Sequence, residues 1–300
     1  MLTDPSAGAG QAVALGLAAA AVWGAADFSG GLAARRAAPA YVIFVAHGLS
    51  LAVLLAIVIA HHVPPPKQVI YGLLSGVVGA AGLAALYGAL ARGLMGLTAA
   101  LAGVVTAALP VVVSWVREGH AGGLKLAGFG VAALAIWLVA YSPADATRQP
   151  QKRGRTWIWL AVTAGLCFGS MLVLMRAAAL ESVVWALTLT RIASTSAGAA
   201  ASLALGLHAR AAMGKTGANT GVAWKRMLPL AVLAGLFDTT GNWLYTLASL
   251  AGRLDVAAVV SSLYPAGTIV LAAIFLKERT RRSQLVGMGL AVAAVALIAA

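Results

Sequence analysis

Residues 11–33 read QAVALGLAAAAVWGAADFSGGLA and contain one charged side chain, Asp27. About 20 predominantly apolar residues are enough for an α-helix to cross the hydrocarbon core of a bilayer. No Lys or Arg precedes this stretch, and it is too long for the apolar core of a signal peptide. The pattern therefore predicts a retained transmembrane helix.

Nine further stretches of about 17 to 25 mainly apolar residues follow, separated by short charged loops. The ten predicted spans cover residues 11–33, 41–60, 69–91, 97–116, 124–141, 157–179, 183–207, 228–250, 254–276 and 283–300. Hydrophobic residues make up 61% of the chain and charged residues 10%, whereas a soluble domain has about 25% charged residues. The predicted fold class is an all-α polytopic membrane protein with ten transmembrane helices, and no stretch is left for a soluble catalytic domain.

The positive charge of the chain lies in its loops. The formal net charge is +13, and Lys and Arg are about three times as frequent after odd-numbered spans as after even-numbered ones. The positive-inside rule then predicts that loops after odd-numbered spans are cytoplasmic and that both termini lie outside. No basic run is interleaved with aromatic residues, so nucleic acid is not an expected partner.

The two halves of the chain repeat each other. Matching positions are Trp23-Gly24 with Phe168-Gly169, His47 with Arg191, Tyr87 with Tyr245, and Arg117-Glu118 with Lys277-Glu278. The predicted domains are a five-helix repeat at 1–141, a polar linker at 142–156 and a second five-helix repeat at 157–300. Because five is odd, the second repeat enters the membrane inverted. Inverted repeats with a binding site at their junction are typical of secondary transporters.

Four segments resemble the EamA-type branch of the drug/metabolite transporter superfamily. They are Trp23 to Gly31, Ala91-Arg92-Gly93, Ser261-Ser262-Leu263-Tyr264-Pro265 and Lys277-Glu278-Arg279. The resemblance covers the whole chain and lies in the order and spacing of these segments. It implies an inner-membrane carrier that moves small organic solutes, often outward, through a central cavity. The chain departs from the family where an arginine often seen in the second helix of each repeat is present as Arg191 but replaced by His47.

Two acids lie near the middle of predicted spans, Asp27 and Asp238. An acid at a helix centre costs about 2.5 to 3.5 kcal/mol on insertion, so it needs a compensating role. Asp27 follows Trp23 by one helical turn, and Asp238, Asn242 and Tyr245 share one side of their helix. Either acid could pair with Arg191 to tie helices together, bind a cationic group of a solute, or carry a proton.

The predicted solute site lies between the halves. Its residues are Trp23, Asp27, Arg191, Asp238, Asn242, Tyr245 and Tyr264. Carboxylates with aromatic side chains favour amino acids, amines or aromatic cations, because no basic cluster for phosphates lies within the spans. The predicted function is a permease that exports such a solute by alternating access, and facilitated diffusion without coupling is equally compatible with the residues. Monomer and homodimer both remain open, and lipid is the other expected partner.

No cofactor is expected, and proton coupling through one acid is a hypothesis. Cys167 is the one cysteine, which excludes disulfides within the chain and cysteine-ligated zinc. The adjacent His61 and His62 do not share a helical face, so a metal site is disfavoured. A membrane-embedded enzyme is the leading alternative class, although no nucleophile with a base is evident. A channel is the third.

Three further features carry structural expectations. Tyr264-Pro265 is expected to kink the ninth helix, and Pro110 permits the same in the fourth. Glycines 72, 76, 79 and 82 are expected to let other helices approach the third. Glu118 and Glu278 are expected to cap loops through ion pairs with neighbouring Arg117, Lys277 and Arg279.

Overall fold

The computed structural model describes residues 5–34, 36–92, 95–140, 156–212, 221–275 and 282–299. These residues form α-helices joined by short turns, with no strand among them. The helices are α1 Pro5–Ala34, α2 Pro39–Ala60, α3 Ile70–Arg92, α4 Met95–Glu118, α5 Gly123–Ala140, α6 Thr156–Ala179, α7 Val183–Ala212, α8 Gly221–Ala251, α9 Leu254–Ser261, α10 Tyr264–Phe275 and α11 Arg282–Ala299. The expected all-helical fold is confirmed. The predicted linker 142–156, apart from Thr156, lies outside the described residues, as do Lys277, Glu278, Arg279 and the side chain of Tyr87.

Four described helices are long and apolar enough to cross a membrane, judged by length and composition. They are Gly8–Ala34, Pro39–Ala60, Leu101–Glu118 and Thr156–Ala179. Ile70–Leu86, Gly123–Leu138 and Leu285–Ile298 are shorter apolar helices. Several helices are longer than the predicted spans, α1, α7 and α8 most of all, because hydropathy marks the apolar centre of a helix and not its polar ends.

The predicted ninth span is two helices, which corrects the expectation of one kinked helix. Pro265 has no N–H to donate to the carbonyl oxygen of Ser261, four residues before it. Ser262 ends α9 with its N–H on the Ala258 carbonyl, and the N–H of Leu263 bonds to Val260 at 3.3 Å. Pro265 instead stands at the start of α10, where its missing N–H is tolerated. At Pro110, by contrast, α4 continues without interruption.

Packing joins the first half of the chain to the second. The most extensive helix pairs are α1 with α8, α3 with α6, α5 with α11, α4 with α6 and α2 with α7. The predicted role of the α3 glycines in close packing is confirmed: a Cβ at position 72, 76, 79 or 82 would press on Leu189, Thr190, Met171 or Phe168 respectively. Helices of both halves therefore form the interior of the bundle.

Gly235 tests this packing. A Cβ there would overlap the backbone carbonyl of Ala46, so α2 and α8 would have to separate. We expect Gly235→Ala to lower the free energy of unfolding by about 1–3 kcal/mol, as overpacking does. The measurement is thermal unfolding in detergent. Gly130→Ala is the matched control, because a Cβ on that exposed helical glycine meets nothing within 4 Å. Equal midpoints for the two variants would contradict the packing.

Candidate solute site in the central cavity

A cavity lies between the two halves of the chain, near the middle of the bundle. The empty space in and at the mouth of this cavity is about 750 Å³, which includes solvent at its opening. Helices of both halves line it, with side chains from α1, α2, α3, α4, α6, α7, α8 and α10. Six of the seven predicted site residues are in its wall: Trp23, Asp27, Arg191, Asp238, Asn242 and Tyr264.

A charge pair spans the cavity wall between α7 and α8. Arg191 donates through Nη2 to Oδ2 of Asp238, and through Nε to the hydroxyl of Thr239 at 3.2 Å. The Arg191 side chain is 3% exposed and the Asp238 side chain 33%. The amide Nδ2 of Asn242 also donates to Oδ2 of Asp238, at 3.3 Å. Of the two acids that could pair with Arg191, the structure pairs Asp238.

His47 reaches the same carboxylate from α2. Its Nε2 is 3.7 Å from Oδ2 of Asp238, which is longer than a hydrogen bond, and its Nδ1 lies 2.9 Å from the Ser194 hydroxyl. His47 is buried, and it lines the cavity. The predicted solute site omitted His47, although its match to Arg191 in the repeat was a usable signal. Phe168, the repeat counterpart of Trp23, also lines the cavity and was likewise omitted.

Trp23 is fixed by contacts on several sides. Its Nε1 donates to Oδ1 of Asn242 at 3.2 Å. Its ring stacks on Tyr245, with centroids 5.7 Å apart, and meets Tyr264 edge-on at 6.4 Å. Gly241 leaves room for the indole edge, because a Cβ there would overlap Trp23. The indole is thus held rigidly in the cavity wall.

Tyr245 is not in the cavity wall, unlike the other predicted residues. It is fully buried, and its hydroxyl donates to the Leu172 carbonyl at 3.2 Å. It belongs to an apolar layer, which we call the closing layer, formed with Leu54, Leu172, Met175, Leu187 and Leu254. Tyr245 is on the same side of α8 as Asp238 but seven residues further along, or about 10 Å at 1.5 Å per residue. Tyr245 stacks on Trp23 and so supports the indole ring without lining the cavity.

A polar network lies beyond the closing layer at one end of the bundle. Arg176 pairs with Glu118 at 2.7 Å, although Glu118 was expected to pair locally with Arg117. The other carboxylate oxygen of Glu118 accepts from the Ser114 hydroxyl at 2.8 Å and from the backbone N–H of Leu254 at 3.3 Å. This network therefore connects α4 and α6 to the start of α9.

Arg253 completes this network. It pairs with the fully buried Asp255 at 2.8 Å and donates to the carbonyl of Gly119, also at 2.8 Å. Its hydrogen bond to Asp255 is the main reason that the pKa of Arg253 is raised above its ordinary value. We call Ser114, Glu118, Arg176, Arg253 and Asp255 the Glu118 network.

The cavity is closed at the end that holds the Glu118 network. Arg176 follows the lining residue Leu172 by one helical turn, so the closing layer and the network cover the cavity there. In the opposite direction the lining continues along α3 to Leu83 and Leu86 and along α1 to Asp27. The described residues thus form a helical bundle with a cavity that is covered at one end, and its mainly apolar wall carries a few charged and polar side chains. A central cavity between the two halves of a helical bundle is typical of membrane transporters.

Comparison with known proteins identifies the class more closely. Residues 155–300 match the EamA-like transporter family. The family resemblance inferred from the sequence is confirmed for this segment: the chain carries an EamA-like segment of the drug/metabolite transporter superfamily, and it is a membrane protein.

A solved structure described as "Crystal structure of protein" is 17% identical, covers 95% of this chain and 95% of its own, and superposes with a TM-score of 0.69. That likeness concerns the fold. No curated protein matches.

Proposed function

We propose that this protein is a secondary transporter that moves a small organic solute, an amino acid, an amine or an aromatic or cationic metabolite, by alternating access. The observation that carries the proposal is a cavity shared by both halves, covered at one end by the closing layer and the Glu118 network. A carrier needs a central site that is covered on one side at a time. The volume, counted out to the opening, sets an upper limit suited to a small molecule.

The pattern of helix contacts supports two inverted repeats of five spans. The two halves can be compared by exchanging equivalent helices: α1 with α6, α2 with α7, α3 with α8, α4 with α9–α10 and α5 with α11. Under this exchange the main contacting helix pairs map onto contacting helix pairs. The exchange turns the pair α1–α8 into α6–α3, and the pair α2–α8 into α7–α3. All four of these helix pairs are in contact. The pairs α2–α7 and α5–α11 map onto themselves. Such an exchange is what a two-fold relation between the halves would produce.

The positive-inside rule gives the proposal a direction. With loops after odd-numbered spans in the cytoplasm, the Glu118 network lies on the outer side of a cell inner membrane and both termini lie outside. The cavity would then be open toward the cytoplasm, where an exporter collects its solute. Trp23, Asp27, Arg191, Asp238, Asn242 and Tyr264 would contact or surround the solute, with Tyr245 as support. No cofactor takes part in this scheme, and a proton is the proposed coupling ion.

Flux through purified protein tests the proposal. Proteoliposomes would be given labelled amino acids, amines and aromatic cations with and without a pH gradient. We expect saturable uptake of at least one solute above empty liposomes, at carrier rates and without steady conductance. A dependence on the pH gradient would support proton coupling, and equal flux without it would support facilitated diffusion. Channel-like conductance, or chemical conversion of the solute, would contradict the proposal.

A further inference from the structure

The two acids of the cavity differ in whether their charge is compensated. Asp238 is paired with Arg191 and also accepts a hydrogen bond from Asn242. Asp27 is exposed and lines the cavity, and within the described part of the chain it has neither a hydrogen bond nor an ion pair. Trp23, the lining residue nearest to Asp27 in sequence, carries no charge. Asp27 thus offers the cavity a carboxyl group that has no counter-charge among the described residues.

No positive group in the described cavity wall is available to a ligand. Arg191 is 3% exposed, and it is already bound to Asp238 and Thr239. His47 is buried against Ser194. With His47 neutral, Asp27, Asp238 and Arg191 give the described wall a formal charge of −1. A carboxylate of a solute would therefore enter without a partner, and an unpaired charge is strongly disfavoured away from bulk water.

Aromatic side chains line the same cavity as Asp27. Trp23 lies one turn before Asp27 on α1, and its stacking on Tyr245 occupies one face of the indole, while the ring still lines the cavity. Tyr264 and Phe168 also line the cavity. An aromatic face attracts both a cation and a second ring. The wall thus combines one unpaired carboxylate with apolar rings.

We propose that the cavity selects an aromatic monocation, a ring carrying one ammonium group, and that Asp27 binds that ammonium group. This inference rests on the proposed transport function and narrows its solute class to amines that carry an aromatic ring. An amino acid with the same ring is disfavoured, because its carboxylate finds no unpaired cation in the described wall. Asp238 and Arg191 neutralise each other and set the shape of the wall.

A matched pair of probes tests the inference: phenethylamine and phenylalanine differ by one carboxylate. Equilibrium binding to the detergent-purified protein would be measured alongside flux in proteoliposomes. We expect phenethylamine to bind about 10- to 100-fold more tightly than phenylalanine, and Asp27→Asn to weaken phenethylamine binding by a similar factor, as expected for a lost hydrogen bond to a charged group. Asp27→Glu should restore part of the affinity.

Glu181→Gln is the matched charge control. Glu181 is an exposed acid whose carboxylate accepts from the backbone N–H of Lys67 at 2.6 Å, and a glutamine keeps an acceptor oxygen there. We expect this variant to bind phenethylamine like the unaltered protein. Asp27 has no partner in the described residues, so unchanged thermal unfolding of Asp27→Asn is also expected and shows that lost binding is local.

The outcomes separate this inference from the transport function. Equal binding of both probes, or binding that Asp27→Asn leaves intact, would overturn the inference, while saturable flux of any solute would leave the transport function standing. Absence of flux for every solute would contradict the transport function. Binding of phenethylamine that depends on Asp27 would still support the cation site in that case, and absence of binding would overturn it.

Discussion

Replacing Asp238 by asparagine is expected to destabilise the folded protein by about 3–5 kcal/mol, the range for breaking a buried ion pair by removing one partner. The reason is the guanidinium that remains: Arg191 is 3% exposed and has lost its counter-charge. Arg191→Met should cost less, at or below the low end of that range, because the carboxylate left behind is 33% exposed. The measurement is thermal unfolding in detergent for both variants.

The double variant Arg191→Met with Asp238→Asn is the control for charge. It removes both members of the pair, so no uncompensated charge remains in the wall. We expect it to be more stable than Asp238→Asn alone, and the double-mutant cycle to give a coupling of about 0.5–3 kcal/mol. If the losses of the two single variants simply add, the pair does not hold α7 to α8, and the compensation argued for the cavity fails.

Much of the fold could be predicted from apolar length alone. A stretch of about 20 apolar residues has few alternatives to a membrane-spanning helix, and each predicted span overlaps described helix, the ninth as the two helices α9 and α10. The break at Ser262 was harder to predict. A proline near the middle of a predicted span indicates a bend, as at Pro110 and Pro265, but whether the helix kinks or stops depends on neighbours that the sequence does not name.

The partners of charged residues depend on how helices are rotated against one another. Sequence placed Asp27 and Asp238 near the middle of their spans, but it could not tell which acid faces Arg191. In the structure Asp238 pairs with Arg191, and Asp27 has no ion-pair partner among the described residues. For Glu118, adjacency in sequence was misleading. Residues i and i+1 do not face each other on a helix, so Glu118 pairs with Arg176 of α6 and not with Arg117.

Depth along a helix separates Tyr245 from the other predicted site residues. The spacing of Asp238, Asn242 and Tyr245 predicts a shared side of α8, which the structure has. Two turns along the axis nevertheless move Tyr245 out of the cavity and into the closing layer. The repeat contained information that the prediction of the site did not use. The counterparts of Trp23 and Arg191, namely Phe168 and His47, both line the cavity.

Replacing Glu118 by glutamine is expected to open the closed end of the cavity. Glu118 receives the Arg176 ion pair, the Ser114 hydroxyl and the N–H of Leu254. A hydrogen bond to a charged group contributes about 1.5–3 kcal/mol, so weakening these bonds should shift the ratio of conformers about 10- to 100-fold toward the one open at this end. Alternating access requires the opposite end to close in that conformer.

A single reporter thiol measures this shift. Cys167→Ala removes the one native cysteine, and Leu83→Cys introduces a thiol in the cavity wall. An impermeant maleimide would be applied to each side of the membrane in turn. Without further change, labelling should come mainly from the side away from the Glu118 network; with Glu118→Gln, labelling from the network side should rise by the stated factor. Glu181→Gln is the control, because it removes an acid outside the Glu118 network. If Glu118→Gln leaves the labelling from each side unchanged, the closing layer alone covers the cavity. The Glu118 network would then have no part in gating.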